Sequence, residues 1–332
     1  VHVTGLVVVV LIALLFDFTN GFHDSANAIA SSISTRALSP RVALAVAAIF
    51  NLLGATLFSP KVAKTIGGGI IDPGKSYHLL VVLAAALLGA ITWNLITWYF
   101  GLPSSSTHSL IGGLIGAGLA SSTKVHWHVI VQKVVIPMVV SPLVGFVGGA
   151  LVILVILWAF RKAKPKPVNQ TFRRLQPIAA AFISLAHGMQ DAQKTMGVIA
   201  LALLAGHPGK AFEVPFWVKL SAAVAIALGT YSGGWRIIRT LGRRIIKMDP
   251  PRGFAVDVTA ATVLMFAAQN ASAPVSTTHV ISSTVMGVGS IDGLSAVRWG
   301  VARSIVAAWI LTIPAAGLVA SLVYVAINPI FG

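Results

Sequence analysis

Four carboxylates stand inside long apolar stretches of this chain: Asp17, Asp24, Asp191 and Asp257. The other four acids, Asp72, Glu213, Asp249 and Asp292, fall between such stretches. A carboxylate among apolar residues is costly, and by default it marks an ion pathway or a substrate site. Around Asp24 the chain reads Asn20-Gly21-Phe22-His23-Asp24-Ser25-Ala26-Asn27, and around Asp191 it reads His187-Gly188-Met189-Gln190-Asp191-Ala192-Gln193-Lys194. Glycine beside amides and carboxylates predicts a broken helix whose freed carbonyls and side-chain oxygens hold a hard cation. Asn20, Asp24, Asn27 and Asp191 are the candidate ligands, with Na+ at Asp24 and Asp191. With no cysteine and no close histidine pair, a zinc centre is excluded. The structural alternatives are polar contacts between helices for the amides and an i,i+3 ion pair with Asp191 for Lys194.

A second pattern suits an anion. Pro103-Ser104-Ser105-Ser106-Thr107-His108 and Pro274-Val275-Ser276-Thr277-Thr278-His279 each precede a short, glycine-containing apolar stretch. Proline in the first turn and Ser or Thr as cap predict a helix start. The stretch that follows is too short for a full crossing of the ~20 residues a membrane requires, so each segment is expected to be a re-entrant half-helix. Such a helix starting inside the membrane aims unpaired N–H groups and a positive dipole end at its site. Ser105, Ser106, Thr107, Ser276, Thr277 and Thr278 add hydroxyls that fit a tetrahedral oxyanion, with Gln190 and Lys194 as further ligands. His108 and His279, with His23, are candidates for donating to the anion or carrying a proton. Capping at the membrane surface is the alternative for the hydroxyls, and packing against a helix for the histidines.

These residues need a membrane scaffold. Of 332 residues 56% are hydrophobic and 10% charged, with mean hydropathy +0.88. A soluble domain carries about a quarter charged residues, so a water-facing globule is excluded. Apolar segments run over 3–35, broken near Asn20 and Gly21, then 41–59, 77–100, 104–121 and 126–160. They resume at 177–206, 214–233, 253–271, 275–290 and 297–328. The first run lacks a basic lead and a cleavage site, and is read as a retained span rather than a signal peptide. The formal charge of +16 could suggest a nucleic-acid partner. Placement argues for none: the cations gather in loops, at Arg161, Lys162, Lys164, Lys166, Arg173 and Arg174, then at Arg236, Arg239, Arg243, Arg244, Lys247 and Arg252. Contact with anionic lipid fits such clusters.

The two sets of five segments are alike. Gly21-x-x-Asp24 matches Gly188-x-x-Asp191, Lys64-Thr65-Ile66-Gly67 matches Arg239-Thr240-Leu241-Gly242, and the two Pro-x-Ser segments match each other, in the same order. Three collinear matches indicate duplication. Asp17 and Asp257 have no partner in this scheme and are read as interfacial or paired with a cation. The expected organisation is a first membrane repeat over 1–160, a basic cytoplasmic linker over 161–176 and a second repeat over 177–332. An odd number of crossings per repeat inverts the second copy. The loop bearing Lys61, Lys64 and Lys75 has a six-cation counterpart, whereas that bearing Arg36 and Arg41 faces one with Lys210 and Glu213. Positive-inside then places residues 36–41, the linker and loop 236–252 in the cytoplasm and both termini outside. The expected fold is thus an all-α polytopic protein with two inverted-topology repeats, broken helices and re-entrant half-helices, a design used by secondary transporters.

These motifs resemble the inorganic phosphate transporter (PiT) family of cation-coupled symporters over essentially the whole chain. The family pattern Gly-x-Asn-Asp-x-Ala-Asn-Ala is met by Gly21, Asp24, Ala26, Asn27 and Ala28, with His23 in place of Asn. In the second signature His187, Gly188, Asp191, Gln193 and Lys194 fit, and Gln190 replaces Asn. The resemblance implies a multi-pass transporter of the cell membrane that is a homodimer, carries phosphate and uses Na+ as its coupling ion without any cofactor. Proton-coupled metal–phosphate symporters and sulfate permeases of the same fold share these motifs. Because hydrogen phosphate can donate a proton to a carboxylate and sulfate cannot, the aspartates favour phosphate. An intramembrane aspartyl protease would need a Gly-x-Gly-Asp loop, which neither signature has. A passive channel is the other alternative, distinguished by flux without an ion gradient.

Overall fold

The structure, a computed structural model, describes residues 3–72, 76–205 and 211–331; Lys75 and Lys210 lie outside them. The first half folds into α1 (Val3–Ser34), α2 (Pro40–Leu57), α3 (Lys61–Gly69), α4 (Ser76–Phe100), α5 (Ser106–Ala120), α6 (Trp127–Ile130) and α7 (Ile136–Ala159). The second gives α8 (Pro165–Ala205), α9 (Phe216–Ser232), α10 (Trp235–Arg239), α11 (Pro250–Phe266), α12 (Thr277–Ser290) and α13 (Trp299–Phe331). Among the described residues the one β feature is an isolated bridge between Ile71 and Val125. A π-helical turn, Val131–Val135, joins α6 to α7 just ahead of Pro137, whose missing N–H disturbs the regular ladder. Each of the ten apolar segments therefore corresponds to one helix or one merged pair.

Six stretches among the described residues are long and apolar enough to span a bilayer: Val3–Ser34, Pro40–Leu57, His78–Phe100, Trp127–Ala159, Pro250–Ala271 and Trp299–Pro329. Their outer faces stay aliphatic, as at Leu11, Leu143, Val155 and Leu318, all of them exposed. Such a surface is at home in hydrocarbon, and helices satisfy their own backbone there. The protein is a multi-pass membrane protein. Helix α8 is more polar, and its segment from His187 to Ala202 is buried by its neighbours.

The two halves pack in corresponding ways. α1 lies on α9 and α8 on α2; α5 lies on α13 and α12 on α7; α4 sits against α1, α5 and α13, as α11 sits against α8, α12 and α7. Two apolar clusters flank the polar middle, one built on α4 and α5, the other on α11 and α12.

Three sequence expectations are corrected. The helices are not broken at the signatures: α1 runs unbroken through Asn20–Asn27 and α8 through His187–Lys194. The glycines serve close packing instead. A Cβ at Gly21 would overlap the Ile226 carbonyl beside Gly229 of α9, and one at Gly188 would overlap the Asn51 backbone of α2. No signature carbonyl is therefore freed to bind an ion. Secondly, the stretch 161–176, expected as a linker between segments, is helical over most of its length. Only Phe160–Lys164 is irregular, and Pro165 opens α8 as a first-turn proline can. Phe172 and Gln176, within the expected linker, are buried, and the Phe172 ring packs edge-on to Phe160 and Phe254 at 5.5 and 5.3 Å. Lastly, Pro103 and Pro274 precede the caps of α5 and α12 rather than entering the first turn.

Candidate functional site

Because α1 is continuous, its polar residues form a stripe. Asp17, Asn20, Asp24, Asn27 and Ser31 alternate at spacings of three and four, which places them on one helical face about 21 Å long. All five are buried. α8 brings His187, Gln190, Asp191 and Lys194 against the middle of the stripe, with none of these more than 1% exposed.

The short helices α5 and α12 complete the site. Ser105 and Ser276 are their N-caps, each accepting from the third backbone N–H, of His108 at 3.1 Å and of His279 at 3.2 Å. At 15 and 14 residues, both helices are too short to cross a bilayer, and both tips are buried inside the protein. The two tips meet at Asp24. Ser106 donates to its Oδ2 at 2.6 Å, and Thr278 to its Oδ1 at 3.3 Å. Thr107 Oγ1 donates across to the Val275 carbonyl at 3.4 Å.

Corresponding residues take corresponding places. Asn27 Nδ2 donates to Thr277 at 3.3 Å and Thr278 at 3.0 Å; Lys194 Nζ donates to Ser106 at 2.9 Å and Thr107 at 3.2 Å. Lys194 Nζ also lies 3.1 Å from Asp191 Oδ2, so the ion pair and the contact to the hydroxyls coexist. Gln190 Nε2 donates to the Ala273 and Val275 carbonyls at 2.9 and 3.3 Å, which ties α8 to the extended segment ahead of α12. His23 faces Asp24 Oδ1 at 2.8 Å and Thr97 at 3.1 Å.

Candidate cation and anion ligands thus form one network in which Asp24 accepts from hydroxyls of both helix tips. Chemically it joins two helix N-termini, hydroxyls and an ammonium, which attract an oxyanion, to carboxylates and amide oxygens, which attract cations. The Asn27 Oδ1, Gln190 Oε1 and Asp191 Oδ1 atoms are buried without hydrogen-bond partners, which suits them to receive a ligand. Asn20 stands apart from this network, against Asp17.

The expectation that no close histidine pair exists is corrected. Folding brings the His108 and His279 rings to 4.7 Å between centroids, and His279 stacks on Trp309 at 4.0 Å. His187 also joins the carboxylates: ligand atoms of Asp24, His187 and Asp191 all lie within 4.8 Å of one another. The candidate cation ligands therefore include an imidazole nitrogen beside the oxygens. Residues far apart in sequence become neighbours through the packing of α1 against α8 and the approach of the α5 and α12 tips.

Several site residues escaped the sequence reading. Asn51 of α2 contacts His187 at 3.2 Å and donates to Thr230 at 2.8 Å, extending the network sideways. Asp257, expected to be interfacial or paired with a cation, is instead buried and accepts from two residues that were not singled out, Ser31 at 2.6 and 2.7 Å and Gln176 at 2.6 Å, which makes the end of the stripe a second polar cluster. The spacing of the stripe was the available signal, and reading a break at Gly21 concealed it. Asn51 carried none beyond being an amide in an apolar run.

Residues 20–320 match the phosphate transporter family. Over 324 residues the chain is 49% identical to a protein of Rhizobium meliloti (strain 1021) named probable low-affinity inorganic phosphate transporter, covering 97% of this chain and 96% of that one. A Bacillus subtilis (strain 168) protein of the same name is 42% identical over 328 residues, 98% of each chain. Among solved structures the chain is similar to one described as the sodium-dependent phosphate transporter, with TM-score 0.88, 27% identity and coverage of 98% of this chain and 100% of that one.

Proposed function

The chain belongs to the phosphate transporter family, and from that premise we propose that it imports inorganic phosphate across the cell membrane by symport with Na+. That it is a phosphate transporter and not an enzyme follows from the family; the coupling ion is our reading. The observation that carries it is the meeting of both half-length helices at Asp24, where Ser106 and Thr278 donate to the carboxylate. Phosphate needs those same hydroxyls, together with Ser105, Thr107, Ser276, Thr277, Gln190 and Lys194. A cation held by Asp24, Asn27 and Asp191 takes over the carboxylate and releases the hydroxyls to the anion. It also offsets the repulsion between the aspartates and phosphate. Each ligand then favours the other, and this linkage is the coupling. The sodium dependence of the similar solved structure supports Na+.

In this reading residues 1–160 and 177–332 are repeats of opposite topology, the basic stretches 161–176 and 236–252 face the cytoplasm, both termini lie outside and the transporter works as a homodimer. A second reading, a coupling proton or divalent metal, is favoured by one observation: His187 stands with Asp24 and Asp191, where an imidazole suits a proton or a borderline metal better than Na+. Uptake of radiolabelled phosphate into proteoliposomes tests both. Uptake that follows an inward Na+ gradient and resists excess sulfate supports symport with Na+. Uptake that follows a proton gradient or requires a divalent metal moves the coupling to the histidines.

A further inference from the structure

We propose that phosphate leaves the central network along the last turns of α1, past a gate at Met248, into a basic vestibule formed by Lys247 and Arg298. The proposal rests on the reading of this chain as a phosphate symporter with loop 236–252 in the cytoplasm. It adds the release route and an anion subsite at its mouth.

The polar face of α1 gives the first reason. Ser31 follows Asn27 by four residues and Ser34 follows Ser31 by three, so the face that carries Asp24 continues for roughly 10 Å to the end of the helix. Two cavities lie along it. The inner one, of about 10 Å³, is lined by Asn27, Ser31 and Asp257 together with Leu241, Met248 and Ile281. It adjoins the central network, since Asn27 also donates to Thr277 and Thr278. The outer one, of about 270 Å³, has Ser34, Lys247, Met248 and Arg298 in its wall. Met248 is common to both. A space of about 10 Å³ barely admits one water, so the passage is shut to phosphate in this structure. Met248 is half-buried, and its unbranched, flexible side chain can swing aside without the movement of a helix.

Charge gives the second. Lys247 and Arg298 are exposed, and the Arg298 backbone N–H donates to the Ile245 carbonyl at 3.0 Å, which fastens their two segments together. The nearby acids Asp249 and Asp292 are both held by Arg252. Among the described residues Lys247 and Arg298 have no ion-pair partner, and no carboxylate lines the outer cavity. Two unpaired cations at a concave mouth concentrate anions, and a guanidinium bonds phosphate oxygens well. Asp257, the acid of the inner wall, is engaged by Ser31 and Gln176. Phosphate moving outward therefore passes from an acidic wall to a basic mouth, which favours release. The phosphate of a lipid headgroup has the same chemistry, and the test separates the two sources.

Because the chain has no cysteine, Met248→Cys supplies a unique thiol. Its reaction with a bulky, membrane-impermeant thiol reagent on inside-out membrane vesicles is expected to abolish phosphate transport relative to the same variant before reaction. Full transport after complete reaction overturns the gate, and so does failure to react from that side. Lys247→Gln combined with Arg298→Gln is expected to raise the KM for phosphate on the cytoplasmic face about tenfold and on the outer face less, with the difference shrinking at high salt. An equal change on both faces, or none, overturns the vestibule. The effect persists in pure phosphatidylcholine proteoliposomes if the ligand is free phosphate; its disappearance there assigns the cations to a lipid headgroup and overturns the subsite. Wild-type protein that moves no phosphate under any ion gradient overturns the symport reading and the route with it, whereas proton-driven transport leaves the route standing. Should Met248→Cys fail to fold, the charge variant decides, and an unchanged KM overturns the proposal.

Discussion

At the scale of single residues, Asp24 is the pivot, because it receives hydroxyls from both short helices. Asp24→Asn keeps the shape and removes the charge that attracts a cation. The expected outcome is loss of cation-dependent phosphate uptake in proteoliposomes, with protein level and membrane insertion unchanged. Near-normal uptake would sink the assignment. Thr278 and Thr107 serve the anion in this scheme, and a lost hydrogen bond is worth about 1 kcal/mol. Thr107→Val and Thr278→Val should therefore raise the KM for phosphate about three- to tenfold while shifting half-saturation by the coupling ion less. Equal shifts for both ligands would argue that these hydroxyls do not discriminate between them. Lys194 compensates Asp191 and holds Ser106 and Thr107 at once. Lys194→Met leaves Asp191 without its ammonium, a change of roughly 3–5 kcal/mol for a buried pair. We expect a loss of phosphate binding by equilibrium dialysis and a lower Tm; wild-type phosphate binding would limit Lys194 to a structural role.

At the scale of elements, glycines decide how closely helices cross. Gly188 lies where α8 meets the Asn51 backbone of α2, and Gly21 lies where α1 meets α9 near Gly229. A methyl group has no room at either crossing. Gly188→Ala is expected to destabilise by about 1–3 kcal/mol as overpacking does, and to lower uptake by moving His187 and Asp191 away from α1. Gly300, with no atom near its would-be Cβ, is the control, and Gly300→Ala should leave Tm unchanged. Equal Tm for both variants would refute the packing role of Gly188. The signatures were legible as candidate sites, since carboxylates in apolar runs by default mark an ion pathway or substrate site. Their conformation was not, because glycine serves a break and a close crossing equally well, and only the neighbouring helix distinguishes them.

At the scale of the whole molecule, the two halves pack in corresponding ways. Opposite orientation of the halves remains a prediction, and the absence of cysteine makes it simple to test. Single cysteines at Lys64 and at Arg161 should react with a membrane-impermeant maleimide from opposite sides of the membrane. Cysteines at Arg161 and Lys247 should react from the same side, the cytoplasmic one. Labelling of Lys64→Cys and Arg161→Cys from one side would refute the inverted arrangement.

Membrane class, the ten apolar segments, the duplicated signatures and the capped starts of α5 and α12 were determined by the sequence alone. These depend on composition and on spacing within single segments, where local physics acts. The tertiary structure decided what depends on partners distant along the chain. It left α1 and α8 unbroken and carried helix α8 back through the basic stretch. It also joined His187 to Asp24 and Asp191, paired His108 with His279, and set Asn20 beside Asp17. Burial and contact between segments far apart in sequence fix such features, and no local pattern of residue types specifies them.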